Sequence, residues 1–247
     1  MADDILVKRS GAILEVTLNR PADGNGATDY MAADLGKLLA DPGDVQLVLL
    51  RGAGADFCTG RAATGRMPRP PGATGEIEAL ERRDSTEVIF ECYGAFRKCP
   101  VPIVGVVQGR ALGFGCSIAA LCDVTLATEA ATFQVPEMLH NIMPTMVASA
   151  LVDRVPRKAM TYLIWSSEVI DAQAALGWGI VSKVVATASL ELAVKKLTDR
   201  MVATPRPAVM AVKEYARVAV DMPISGAVDF ARNLHATINS SSALKRK

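Results

Sequence analysis

Apolar residues alternate or run together over 5–9 and 13–18, on either side of Ser10-Gly11, which predicts two strands joined by a hairpin turn. Asn19-Arg20-Pro21 closes the second strand. Met31, Leu35, Leu38 and Leu39 then recur at helical spacing until Pro42-Gly43 breaks the pattern. Residues 45–50 form an unbroken apolar run, hence a strand buried on both faces, and 101–107 form a second. Between them a helix is expected over 76–98, with an apolar stripe of Ile77, Leu80, Val88, Ile89, Cys92 and Phe96, stopped by Pro100. Residues 66–75 are too rich in Pro and Gly for regular structure and read as a surface loop, a common place for a substrate cover. A short helix over 116–121 and a strand over 124–127 follow.

Beyond 135 the pattern turns helical: 144–153, 156–165, 172–176, 189–203, 207–220 and 225–238, interrupted by one short strand over 180–185. Asp171 and Gly177 sit where an N-cap and a C′ glycine belong. Strand–helix alternation followed by a helical tail predicts an α/β core built on a parallel sheet, with helices packed on it or on a neighbour.

The chain has 247 residues, 50% of them hydrophobic and 21% charged, which suits a large buried core and excludes disorder as the dominant state. Twenty-seven basic against twenty-six acidic residues leave no basic face for nucleic acid. No apolar run reaches the ~18–20 residues of a membrane helix, and the acidic start is unlike a signal peptide. Five cysteines without C-x-x-C spacing read as reduced, buried thiols of a cytoplasmic protein. His140 and His235, the two histidines, lie far apart in sequence, which argues against a metal site.

Three segments could carry chemistry. Asp56-Phe57-Cys58-Thr59-Gly60-Arg61-Ala62-Ala63 follows a buried strand, and its small residues would let a ligand approach freed backbone N–H groups. Gly109–Ser117, spanning Gly113-Phe114-Gly115, lies between a buried strand and a helix N-terminus, a natural anion site. Gly113-x-Gly115 half-matches a dinucleotide fingerprint that lacks its third glycine, and Gly115-x-Ser117-x-Ala119 half-matches a nucleophile elbow. The third segment, Phe133–Leu139, holds Glu137 in apolar surroundings, where desolvation would raise its pKa and suit it to proton transfer; equally, Pro136-Glu137 is how ordinary helices start.

Taken in order, each at a strand end, these segments resemble the crotonase superfamily (enoyl-CoA hydratase/isomerase). The likeness spans nearly the whole chain: Leu18-Asn19-Arg20-Pro21, the strand 45–50 with Phe57-Cys58-Thr59-Gly60, Pro102 to Gly115, Cys122-Asp123-Val124, Phe133 to Glu137, and Ile170-Asp171-Ala172 through Gly179-Ile180-Val181. It implies a crotonase-like (ClpP/crotonase) spiral of ββα units over 1–187 carrying the acyl-CoA site, and a C-terminal helical region, 188–247, for a homotrimer or hexamer. The implied substrate is an acyl-CoA thioester, with no metal or redox cofactor.

By position, the resemblance assigns the oxyanion-hole donors to the backbone N–H groups of Arg61 and Phe114. Glu137 matches the second of the two glutamates of family hydratases. Thr59, Gly60, Ala62, Ala63, Gly113 and Ser117 fall where the family binds substrate and CoA. The first hydratase glutamate is replaced by Ser117, which cannot exchange protons as a carboxylate does. Arg61 and Phe114 replace small residues and are expected to crowd the thioester pocket. Ala62 stands where an aspartate is common, Asp23-Gly24 where many relatives carry a basic residue near the CoA phosphates, and the chain stops short of relatives whose last helix closes over CoA. One glutamate serves double-bond isomerisation directly, with hydration still possible. The alternatives are an acyl-thioester hydrolase using Ser117 and a non-catalytic acyl-CoA-binding homologue.

Overall fold

Strands β3 (Leu47–Gly52) and β4 (Ile103–Val107) are buried on both faces, because helices cover one side of their sheet and a further helix covers the other. A computed structural model of the chain describes residues 4–65 and 78–244. The six-stranded sheet runs β1 (Ile5–Ser10), β2 (Ile13–Leu18), β3, β4, β6 (Val124–Thr128), β9 (Lys183–Val185), antiparallel between β1 and β2 and parallel throughout the rest.

A second sheet joins β5 (Arg110–Leu112), β7 (Thr132–Gln134) and β8 (Ile170–Asp171). Single bridges, Ala27 to Arg61 and Cys58 to Ala111, extend this layer through segments too short to count as strands. The repeat is now visible. A long strand of the first sheet leads to a short extended piece of the second, and then to a helix. Thus β3 is followed by 57–61, β4 by β5 and β6 by β7, which is the expected spiral of ββα units.

The helices α1 (Asp29–Ala40), α3 (Glu87–Lys98) and α4 (Phe114–Leu121) enclose the main core with Leu35, Leu39, Ile89, Phe96 and Ile118. Thr28 caps α1 by accepting from Met31 N at 3.1 Å. On the other face, Leu190 and Val194 of α8 (Leu190–Ala203) pack on Leu47, Leu49, Val104, Val106 and Leu126. Further helices are α5 (Thr145–Leu151), α6 (Arg157–Ser166), α7 (Ala172–Gly177), α9 (Arg206–Ala219) and α10 (Ile224–Asn239). Among the described residues no helix is long and apolar enough to cross a membrane.

Four expectations are corrected. The single helix over 76–98 is two, α2 (Ala79–Asp84) and α3, because the hydroxyls of Ser85 and Thr86 bond back to the carbonyls of Arg82 and Arg83 and end the first. Leu80 consequently lies 72% exposed instead of on the apolar stripe. The strand over 180–185 shrinks to Lys183–Val185. Asp171 does cap α7, accepting from Ala174 N at 2.8 Å, but Gly177 is its last helical residue and the left-handed position falls at Gly179, φ 83°. The loop at 66–75 and the start of the helix at 76, with Ile77, lie outside the described residues.

Two polar ties hold the loops and the tail. Asn25, fully buried, donates to the carbonyls of Ala53 (2.8 Å) and Asp56 (2.7 Å) and accepts from Arg20 N (2.9 Å), so it joins two strand-end loops. Lys213 of α9, only 7% exposed, donates to Val101 O and to Asp123 Oδ2, both at 2.8 Å, and Asp123 also accepts from Ile103 N. Lys213→Met keeps the aliphatic stem but strips Val101 O and Asp123 of their cation. It is expected to lower unfolding free energy by about 2 kcal/mol in urea titrations.

Candidate active site

The segment following β3 is stitched in on both sides. Cys58 donates from N to Arg110 O (3.1 Å) and accepts from Leu112 N (2.9 Å), while Gly60 O accepts from Ala27 N and Ala27 O from Ala62 N, both at 2.8 Å. In this parallel bridge Ala27 makes the hydrogen bonds, so the N–H and C=O of the facing residue, Arg61, point away from it. Asp56 fastens the same segment to β5. Its carboxylate takes Arg110 N (3.0 Å) and Arg110 Nη2 (2.7 Å), and the guanidinium holds its pKa below the ordinary carboxylate range.

Against this segment lies the start of α4. Gly113, at φ 48° and ψ −109°, donates to Gln134 O (2.9 Å) and turns the chain into the helix, leaving Phe114 N–H as a first-turn donor with no acceptor within the helix. Gly115 lies so close to the neighbouring strand that a Cβ there would stand 2.0 Å from Cys58 O. Only glycine permits that approach. It brings the Phe114 amide up against the strand that carries the Arg61 amide.

The carboxyl of Glu137 completes the site. The residue begins a short 3-10 turn, Glu137–His140, closed by Asn141 in the left-handed region (φ 55°). A Cβ on Gly113 would meet Glu137 Oε1 at 2.6 Å, so the carboxyl lies directly over the residue that precedes the Phe114 amide. Oε2 is buried with no hydrogen-bond partner. Burial pushes the Glu137 pKa above its ordinary value, opposed in part by a backbone hydrogen bond and by His140.

The other sequence candidates find these places. Arg61 and Phe114 both turn their side chains into the protein: the Arg61 guanidinium pairs with the buried Asp29 carboxylate (2.5 Å), and the Phe114 ring stacks on Tyr93 at 5.6 Å between centroids. Thr59 donates from its hydroxyl to Asp23 O (3.3 Å) and is half-buried, Gly60 is buried, Ala62 half-buried and Ala63 exposed. Ser117 is fully buried, its hydroxyl donating to Gly113 O at 3.0 Å, and neither histidine is among its hydrogen-bond partners. Two residues escaped the sequence reading. Asp29 looked like an ordinary acidic residue of a helix's first turn, and Tyr93, four residues after Ile89, falls on the core stripe of α3. Its ring nevertheless stacks on Phe114, and burial raises the pKa of its phenol.

The sequence matches the family model described as enoyl-CoA hydratase/isomerase over residues 8–246. It is 29% identical over 226 residues to an (E)-benzylidenesuccinyl-CoA hydratase of Thauera aromatica, covering 89% of this chain and 84% of that protein. It is 25% identical over 241 residues to carnitinyl-CoA dehydratase of Escherichia coli K12, covering 94% and 87%. Its fold superposes on the crystal structure of an enoyl-CoA hydratase of Mycobacterium smegmatis with a TM-score of 0.86 and 26% identity, over 98% of this chain and 93% of that one. With the ββα spiral, the strand-end site and a family match along almost its entire length, the chain belongs to the enoyl-CoA hydratase/isomerase family.

Proposed function

We propose that the protein acts on an acyl-CoA thioester by forming an enolate held between the Arg61 and Phe114 amides, with Glu137 as the one acid/base. The observation that carries this reading is the buried, unpartnered Glu137 Oε2 on a carboxyl lying over Gly113. A desolvated carboxylate is a stronger base than a hydrated one, which suits it to take and return a proton. Each oxyanion donor supplies roughly 3–4 kcal/mol of transition-state stabilisation.

A single carboxylate is sufficient to move a double bond. Glu137 removes a proton from the α-carbon of a 3-enoyl thioester, the electron pair spreads into a dienolate whose oxygen faces the two amides, and the same proton returns at the γ-carbon. Hydration is the second reading, favoured by relatives named hydratase and dehydratase. Water would then lose its proton to Glu137 as it adds at the β-carbon, and the carboxyl would protonate the α-carbon. Thr59, Gly60, Ala62 and Ala63 line the approach for CoA in either case. The five free, buried cysteines suit a reducing cytoplasm.

The assembly is proposed to be a homotrimer or hexamer. Val212, Val220 and Ile224 on and beside α9 and α10 are 71%, 71% and 81% exposed, a set of apolar side chains that neighbouring subunits would cover.

Glu137→Gln is expected to lower both isomerisation of 3-hexenoyl-CoA and hydration of crotonoyl-CoA by at least about 100-fold, read by steady-state assay; unchanged rates would remove Glu137 from the mechanism. Activity should fall on the acid side as the carboxyl is protonated, with a midpoint above the ordinary glutamate pKa of 4.5 in a pH profile of kcat/KM. Burial also means that ionising Glu137 costs folding stability as pH rises past its folded pKa. The Gln variant should therefore melt no lower than the wild type at neutral pH, which separates lost chemistry from lost fold. Sedimentation equilibrium is expected to give three or six copies of the chain, and a monomer would refute the proposed assembly.

A further inference from the structure

We propose that Ser117 is a positioning residue for the oxyanion hole: it fixes the peptide unit between Gly113 and Phe114 and strengthens its N–H as a donor. The inference rests on the enolate reading above and adds to it what the serine does at the position where family hydratases keep a glutamate.

The Gly113 carbonyl accepts two hydrogen bonds from one residue, Ser117 N at 2.9 Å and Ser117 Oγ at 3.0 Å. The N–H at the other end of that same planar peptide is Phe114's. Donors on the carbonyl oxygen draw electron density through the conjugated unit and leave the N–H more positive, so the two bonds polarise the group that faces the thioester oxygen. A serine hydroxyl bonded to the carbonyl four residues back is common in helices. Here the consequence lies in which peptide it grips.

Ser117 has no exposed surface, so it reaches this role without touching an acyl group. Tyr93 is 2% exposed, and burial raises its pKa, so the phenol keeps its proton. Its ring stacks on Phe114 at an interplanar angle of 26°. The tyrosine ring therefore braces the side chain of the residue that donates.

The test uses the full-length protein and crotonoyl-CoA carrying 13C at the thioester carbonyl. Isotope-edited infrared spectra report the drop in carbonyl stretching frequency on binding, a direct reading of donor strength that a loss of packing alone does not move. The wild type is expected to show the drop. Ser117→Ala should lose roughly 10–30% of it, and lower kcat for 3-hexenoyl-CoA isomerisation about two- to tenfold with KM within about threefold; Tyr93→Phe, which keeps the ring stack, should stay within about twofold of the wild type. Should Ser117→Ala not fold, Ser117→Cys, a near-isostere with a weak donor, takes its place and is expected to lie between it and the wild type. An unchanged carbonyl frequency and kcat in the folded serine variant would overturn the inference. Glu137→Gln should keep the drop while losing turnover. A wild type that binds the thioester with no drop at all would instead overturn the enolate reading itself.

Discussion

The close approach of helix α4 to the strand segment 57–61 is the constraint on which the site depends. A Cβ at position 115 would stand 2.0 Å from Cys58 O, so the two pieces of backbone touch where no side chain fits between them. That contact is what can present two amides, one from a strand and one from a helix terminus, to a common partner. Each is available for a different reason. The Arg61 N–H points away from Ala27, which makes the ladder hydrogen bonds of that bridge, and the Phe114 N–H is an orphan of the helix's first turn.

Around this contact the polar groups fall into two kinds. Asn25 and the Asp56–Arg110 pair satisfy loop backbone and lock the strand ends in register, so their hydrogen bonds stabilise the fold. Glu137 Oε2 is the opposite case, a buried oxygen without a partner. An unsatisfied buried acceptor costs folding free energy. In the proposed mechanism the substrate proton is its partner. The two bulky residues at the amide positions do not oppose this. Asp29 takes the Arg61 guanidinium and Tyr93 takes the Phe114 ring, so both side chains are held by partners within the protein.

Apolar runs and their breakers were enough to place β2, β3, β4, α1 and all the helices from α5 onward to within a few residues, since burial on two faces or along one stripe leaves a periodic trace. Pro100 and Pro42-Gly43 marked true boundaries. Strands β5, β7 and β8 left no such trace. At two or three residues each they hold together by pairing with segments far along the chain, as Arg110–Leu112 does with Thr132–Gln134. The division of the helix before β4 was likewise hidden, because Ser85 and Thr86 interrupt it through hydroxyl-to-carbonyl bonds that the apolar stripe does not register.

What the sequence determined alone is the ordered set of glycines and the lone glutamate at strand ends, since the need for a missing side chain or a titratable one is written in residue identity. What the tertiary structure decided is direction. Arg61 turned to Asp29 and Glu137 laid over Gly113 are outcomes of contacts between segments dozens of residues apart, and a side chain's partner across such a distance exists only once the chain has folded.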